Sequence, residues 1–248
     1  MKKHDFLEIL SYNLFTADVD EIGIDTRCVI NALNQYSFVM AEKDEKFKQA
    51  LHESDVLIPD GIGIVAAARL LKGERIKKIA GADIHSHLLK KLNEIKGNCF
   101  YLGSSYETLI NIKKRLAKEY PAINMRFYSP PFKAKFTDED NSIMVNEINE
   151  FKPDVLFVGM TAPKQEKWSF ENKNKLNVKI ICSIGAVFDF YGGNVKRPGE
   201  FWIKMGLEWF IRLLNEPIHL WKRYIYYGPV FVYKIISEKI KMSRLAKK

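Results

Sequence analysis

The 248-residue chain predicts an α/β protein, a Rossmann-like and mostly parallel sheet with a helical segment appended at its C-terminus. Three observations point there. Between about residues 55 and 190, short apolar runs alternate with longer stretches of helical periodicity, as expected when helices cross over between parallel strands. A hydrophobic share of 47% in this length is enough for one substantial core and excludes a disordered or fibrous chain. After Gly192-Gly193 aromatic residues interleave with Lys and Arg, so the chain divides into a Rossmann-like core, 1–195, and a basic aromatic helical appendage, 196–248.

Each element has a local reason. Residues 55–59 read as a strand leading through Asp60-Gly61 into a helix over 64–71. The strand at 98–102 turns at Gly103-Ser104-Ser105 into a helix over 108–118, whose Leu109, Ile112 and Leu116 share one face. A third strand covers 123–127, and Thr137-Asp138-Glu139-Asp140 opens a helix through Ile148, because side-chain oxygens there satisfy free amides and the helix dipole. Strands at 154–159 and 178–183 bring the minimum to five. In the appendage, Pro217 and Gly228-Pro229 should separate short helices. No run reaches the ~18 apolar residues of a spanning helix.

Charge narrows the function. Lys and Arg exceed Asp and Glu by 39 to 30, and residues 200–248 hold ten of those bases against four acids, so two thirds of the +9 excess lies in the last fifth of the chain. Such an excess calls for an anionic partner. Lys204, Arg212, Lys222 and Arg223 lie among Trp202, Trp209, Trp221 and Tyr224; this mixture suits a water–lipid boundary, so a membrane surface is expected and no nucleic acid. The appendage is thus expected to be membrane-associating. Cys28, Cys99 and Cys182 are odd in number and sit in apolar runs, which reads as buried thiols of a cytoplasmic protein rather than disulfides or zinc ligands. The start, MKKHDFLEIL, has no sustained apolar stretch, so no secretory signal is expected.

Open parallel sheets bind ligands beyond the carboxyl ends of their strands. Asp60 follows a strand and Pro59 and precedes Gly61; the position fits a helix N-cap and also a carboxylate projecting from the sheet rim. The turn Gly159-Met160-Thr161-Ala162-Pro163-Lys164-Gln165-Glu166 has small residues that let amides approach a ligand, and Lys164 and Gln165 can address phosphate or sugar oxygens; an ordinary strand–turn–helix connection has the same composition. Gly103 opens a weaker phosphate-loop candidate, without a Walker lysine or GxGxxG spacing. Lys78 ends the basic run 72–78, either a solvated surface or a cation for a departing diphosphate. Asp18-Val19-Asp20 imitates a metal-binding DxD but follows no apolar strand, and His85 and His87 fall on opposed faces of a helix, so no metal site is expected. An NAD-type oxidoreductase lacks its glycine fingerprint and a Ser-His-Asp hydrolase its GxSxG elbow.

The ordered series PDGIGIV at 59–65, IAGAD at 79–83, PPF at 130–132, PDVLFVGMTAPKQEKW at 153–168, GAVFDFYGG at 185–193 and GLEWFIRLLNEP at 206–217 resembles the WecG/TagA/CpsF glycosyltransferases across nearly the whole chain. The resemblance implies an inverting enzyme of bacterial cell-surface polysaccharide or teichoic acid synthesis. It would move N-acetylmannosamine or a related sugar from a UDP-sugar donor to a polyprenyl-diphosphate-linked sugar acceptor, with no metal or other cofactor. It implies Asp60 as general base, Gln165 at the donor site flanked by Lys164 and Glu166, and Arg212 and Arg223 as contacts to a diphosphate. Two positions depart from the pattern: Ala32 stands where many members have Thr, two residues before the matching Asn34, and Lys78 where many have Arg. Lysine supplies charge without a bidentate fork. The expected place of action is the inner face of the bacterial membrane, peripherally bound. The sequence is compatible with a homo-oligomer, and a non-enzymatic, membrane-associated nucleotide-sugar-binding scaffold is the competing reading.

Overall fold

The computed structural model describes residues 5–245, except the side chains of Glu200, Lys204 and His219. The MKKH start and the Lys204 side chain, both used above, lie outside the described residues. Six parallel strands make the main sheet: β3 (Cys28–Leu33), β4 (Val56–Pro59), β5 (Asn98–Gly103), β6 (Asn124–Tyr128), β7 (Val155–Gly159) and β8 (Ile180–Ser183), in the spatial order β4-β3-β8-β7-β5-β6. A separate antiparallel pair, β1 (Phe6–Ile9) and β2 (Tyr12–Phe15), precedes it.

All five strands expected from sequence are present, and three more appear. β3 escaped because Asn31 interrupts its apolar run; the buried amide is accommodated by donating to Ser54 Oγ at 2.9 Å. The β1–β2 turn passes through Leu10 and Ser11 at φ 54° and 67°, and without a Gly or Asn at either left-handed position the sequence carries no hairpin signal there.

Side chains alternate between the faces of the central strands, as a period of two requires. Cys99 and Tyr101 of β5 join one core with α4 (Gly81–Ile95), α5 (Tyr106–Glu119) and α8 (Gly185–Tyr191), while Phe100 and Leu102 face α6 (Asp138–Phe151) and α7 (Lys164–Asn172). Both faces are therefore dry, which explains why these strands read as continuous apolar runs. The three cysteines are buried free thiols, and burial pushes Cys28 up to about 12.

The helices α1 (Gln35–Ala41), α2 (Glu45–His52) and α3 (Ile62–Lys72) enclose a third core beside β3 and β4. Completing it is the last helix, α12 (Tyr227–Leu245): Phe231 and Ile235 are buried there, and Phe231 meets Phe38 edge-on at 5.4 Å between ring centroids. The change of composition near residue 195 is thus crossed by a shared core. Between them, α9 (Glu200–Lys204), α10 (Glu208–Asn215), α11 (Pro217–Trp221) and a π-helical turn over Lys222–Tyr226 lead the chain past the carboxyl ends of β3 and β4. Pro217 begins a helix as expected, but Gly228-Pro229 does not end one. Pro229 falls in α12 directly after the π-helical turn, and the helical run from Pro217 continues through it.

Candidate active site

The pairing of β3 with β4 continues one residue past the strand, Asp60 N–H donating to Leu33 O at 2.9 Å, so Asp60 leaves the sheet between two strand ends. The next residue, Gly61, is the N-cap of α3 at φ 116°, a conformation that favours glycine. No side chain caps α3. The capping reading of Asp60 therefore fails, and its carboxylate lines a cavity of about 310 Å³.

That cavity is shared between sheet and tail. Asn34, Gln35, Asp60 and Lys78 line it from the core; Glu208, Trp209, Arg212, Arg223 and Tyr224 line it from the appendage. Asn34 caps α1, its Oδ1 accepting from the N–H groups of Tyr36 and Ser37 at 3.1 and 3.0 Å, which leaves its amide nitrogen as the uncommitted end. Lys78 donates to Glu208 Oε2 at 2.7 Å, and Arg197 approaches the other oxygen of that carboxylate at 3.5 Å. Arg212 lies over the Phe190 ring at 4.9 Å, and Arg223 over Tyr36 at 5.5 Å and Tyr224 at 5.8 Å. The Nε atoms of both arginines are buried without a partner among the described residues. Buried donors left open beside a cavity fit an anionic ligand.

Burial pushes the Asp60 carboxyl above the usual carboxylate range; Arg223, Lys78 and Arg212 pull it down, Glu208 pushes it up, and burial prevails. A carboxylate of enhanced basicity beside three cations can take a proton from a hydroxyl while the cations hold a departing anion.

Other residues singled out from sequence stand elsewhere. Lys164 lies over the Phe136 ring at 3.6 Å and donates to Lys133 O, outside the lining of the Asp60 cavity. Gly103 answers a packing demand: a Cβ there would stand 2.2 Å from Gly159 O. Ser105 caps α5, so this turn is occupied by its own helix. Gln165 Oε1 accepts from the N–H groups of Met160 and Gly185 at 3.2 and 3.1 Å, tying the turn after β7 to the one after β8. Pro163 is the residue ahead of α7 and not part of it. Glu166 is buried, and burial raises its carboxyl to about 7 against the pull of Gln165 and Arg223. Asp18 pairs with Lys77, and Asp20 with His87. Among the described residues no cluster of three His, Cys, Asp or Glu is placed to hold a metal.

Sequence reasoning passed over Tyr36 and Glu208. Glu208 lies inside the run 206–217 but is one of four acids in the tail, with nothing in the sequence to single it out; Tyr36 had no signal, since only folding brings Arg223 over its ring.

An open α/β sheet with a rim carboxylate, roofed by cationic aromatic helices, fits an enzyme that moves a group away from an anionic leaving group. The family model for the glycosyl transferase WecG/TagA/CpsF family matches residues 7–245, and the chain belongs to that family. It is similar to an N-acetylglucosaminyldiphosphoundecaprenol N-acetyl-β-D-mannosaminyltransferase of Bacillus subtilis (strain 168), 31% identical over 79% of this chain and 74% of the relative. An enzyme of the same description from Staphylococcus aureus (strain MRSA252) is 28% identical over 82% of this chain and 78% of its own length.

Proposed function

We propose that this enzyme transfers N-acetylmannosamine or a closely related sugar from a UDP-sugar to N-acetylglucosamine carried on a polyprenyl diphosphate, inverting the transferred centre. The reading rests above all on Asp60, a rim carboxylate with raised proton affinity facing Lys78, Arg212 and Arg223 across one cavity. In the reaction the acceptor hydroxyl oxygen attacks C1 of the donor sugar and the bond from C1 to the diphosphate oxygen breaks. UDP departs with the electron pair, and the hydroxyl proton passes to Asp60. A single displacement with one base inverts C1. The cations disperse charge on the leaving diphosphate, so the step calls on no metal.

Asn34 is assigned to the sugar or diphosphate through its uncommitted amide. Gln165 and Glu166 serve from behind, one fixing the turn and the other accepting from Gln165 Nε2 at 2.9 Å. Lys164 and Gly103 keep a substrate role only if a bound donor extends beyond the Asp60 cavity.

The appendage supports peripheral attachment to the cytoplasmic face of the membrane, where such an acceptor would be met. No helix among the described residues is long and apolar enough to cross a bilayer. Instead Leu214, Ile218, Trp221 and Ile225 are exposed at helical spacing. Incubating the enzyme with a panel of UDP-sugars and a short-chain polyprenyl-diphosphate N-acetylglucosamine, followed by mass spectrometry, tests the whole reading. A product heavier by one N-acetylhexosamine residue is expected from UDP-N-acetylmannosamine; no transfer from any donor by a protein that binds UDP in calorimetry would leave the nucleotide-sugar-binding scaffold.

A further inference from the structure

Glu208 is an anion in the wall of a cavity whose cations suit an anionic ligand, and the displacement at C1 gives it no task. A carboxylate there repels a diphosphate, so its presence calls for a compensating role. It opens α10, and its two oxygens are taken by cations from different parts of the chain: Lys78 Nζ donates to Oε2 at 2.7 Å, and Arg197 Nε approaches Oε1 at 3.5 Å. All three side chains are largely covered, that of Glu208 most of all at 16% exposed. Burial pushes the Glu208 carboxyl up, but Lys78, Arg197 and Arg212 hold it below the usual carboxylate range, so it stays ionised and makes a poor base beside Asp60. Arg197 lines a separate cavity of about 250 Å³, and its Nη2 comes within 3.9 Å of Asp83 in the first turn of α4. The backbone that carries Lys78 is tied beside Asp60, since Ile79 N–H donates to Pro59 O at 3.1 Å. What the backbone leaves free is the direction of the lysine side chain.

We propose that Glu208 is a positioning residue for Lys78: it holds the ammonium in the wall of the Asp60 cavity, toward the donor's diphosphate, while Arg197 holds Glu208 from outside that cavity. This rests on the cavity taking the diphosphate of a nucleotide sugar. A lysine ammonium is a point charge on a flexible four-carbon stem and, unlike an arginine fork, does not fix its own direction. It has three N–H donors, so one can go to Glu208 and leave two for phosphate oxygens. Loss of Glu208 would have two opposing effects on the bound donor: repulsion of the diphosphate is relieved, and the order of Lys78 is lost. The departing oxygen gains charge only as its bond to C1 breaks, so a misplaced ammonium lowers turnover more than binding. Glu208 also stands in the first turn of α10, where an acid suits the helix dipole, but that role would not depend on Lys78.

Glu208→Gln should lower kcat about 10-fold while binding UDP within about threefold of wild type in calorimetry. In a Lys78→Met background the same change should lower kcat by less than about twofold further, because no ammonium remains to be positioned. Arg197→Gln should lower kcat by about threefold in the wild type and leave it unchanged in Glu208→Gln. Equal losses from Glu208→Gln with and without Lys78 would overturn the proposal and leave a role in the helix dipole or in packing; unchanged turnover in Glu208→Gln would overturn it too. Absence of UDP binding by the wild type would instead remove the nucleotide site itself, and the proposal with it. Nitrogen-15 spectra of lysine-labelled wild type do not depend on the folding of Glu208→Gln. The ammonium of Lys78, identified by its absence from Lys78→Met, should be protected from exchange with water and move on adding UDP. An ammonium that exchanges as fast as those of exposed lysines, or that ignores UDP, would overturn the assignment.

Discussion

The sheet core and the segment from 201 to 245 use apolar residues in opposite ways. The central strands bury both faces, so that Cys99, Phe100, Tyr101 and Leu102 are all inaccessible. The tail leaves its large apolar side chains in the open: fourteen of the twenty large hydrophobics exposed among the described residues lie within 201–245. Yet the same tail turns Arg212 and Arg223 inward, with Nε atoms buried and unpartnered. A core folded for stability puts apolar groups inside and charge outside. The tail inverts that rule, as the proposed function would require of a segment that meets an anionic substrate beneath and a membrane surface above.

The comparison breaks first at Asp60, where the core meets the tail. Asp60→Asn should lower transfer by at least ~100-fold while UDP still binds, because an amide keeps the shape and cannot take the proton. Turnover within threefold of wild type would take Asp60 out of the reaction. Next come the inward cations. Arg223→Gln, and Arg212→Gln separately, should each weaken UDP binding and turnover by about 10-fold or more, since each removes a charged donor whose Nε is buried and unpartnered beside the cavity; unchanged UDP affinity in calorimetry would show that the tail does not hold the diphosphate.

Much of this was legible in the sequence. Strands β4, β5, β7 and β8 declared themselves because strands buried on both faces read as apolar runs, and β3 stayed hidden because Asn31 interrupts its run and meets its partners, Ser54 Oγ and Ala50 O, only in the fold. Asp60 was legible as a rim residue; its freedom from capping was not, since that depends on Gly61 taking the N-cap at φ 116°. Lys164 and Gly103 carried the composition of a ligand loop, but one lies against Phe136 and the other answers a close strand approach. The convergence of Asn34 and Asp60 from the core with Arg212 and Arg223 from the tail on one cavity joins residues far apart in the chain, and no spacing within a motif encodes it.

The outward face of the tail gives a smaller and separable effect. Replacing Ile218, Trp221 and Ile225 together by Ser should lower cosedimentation with anionic liposomes by roughly 10-fold. UDP affinity should hold, because these side chains are exposed and none lines the cavity. Loss of UDP binding in that variant would mean that the two faces are not independent.

Stability supplies the next test. Glu166 holds its proton to about 7 when folded, against 4.5 for the unconstrained carboxyl. The folded chain therefore binds more protons between those values and loses stability as pH rises through them, the loss being complete above about 7. Glu166→Gln removes that loss and should melt higher than wild type at pH 8, by on the order of 1–2 kcal/mol, with little difference at pH 4.5. A variant that melts lower than wild type at both pH values would assign Glu166 to packing alone. The smallest expected effect is that of EDTA, which should leave turnover unchanged if Lys78, Arg212 and Arg223, which line the Asp60 cavity, offset the charge of the leaving diphosphate as proposed; strict dependence on Mn²⁺ or Mg²⁺ would return Asp18 and Asp20 to consideration.

The central claim is a single displacement in which one core carboxylate takes the proton while core and tail cations hold the departing diphosphate. It is tested most directly by the configuration of the new glycosidic bond, read by NMR on product made from UDP-N-acetylmannosamine and a short-chain polyprenyl-diphosphate N-acetylglucosamine. The account predicts one product, opposite in configuration to the donor, formed by wild type and lost in Asp60→Asn. A product that retains the donor's configuration would contradict it, since retention requires a second displacement that one base cannot provide.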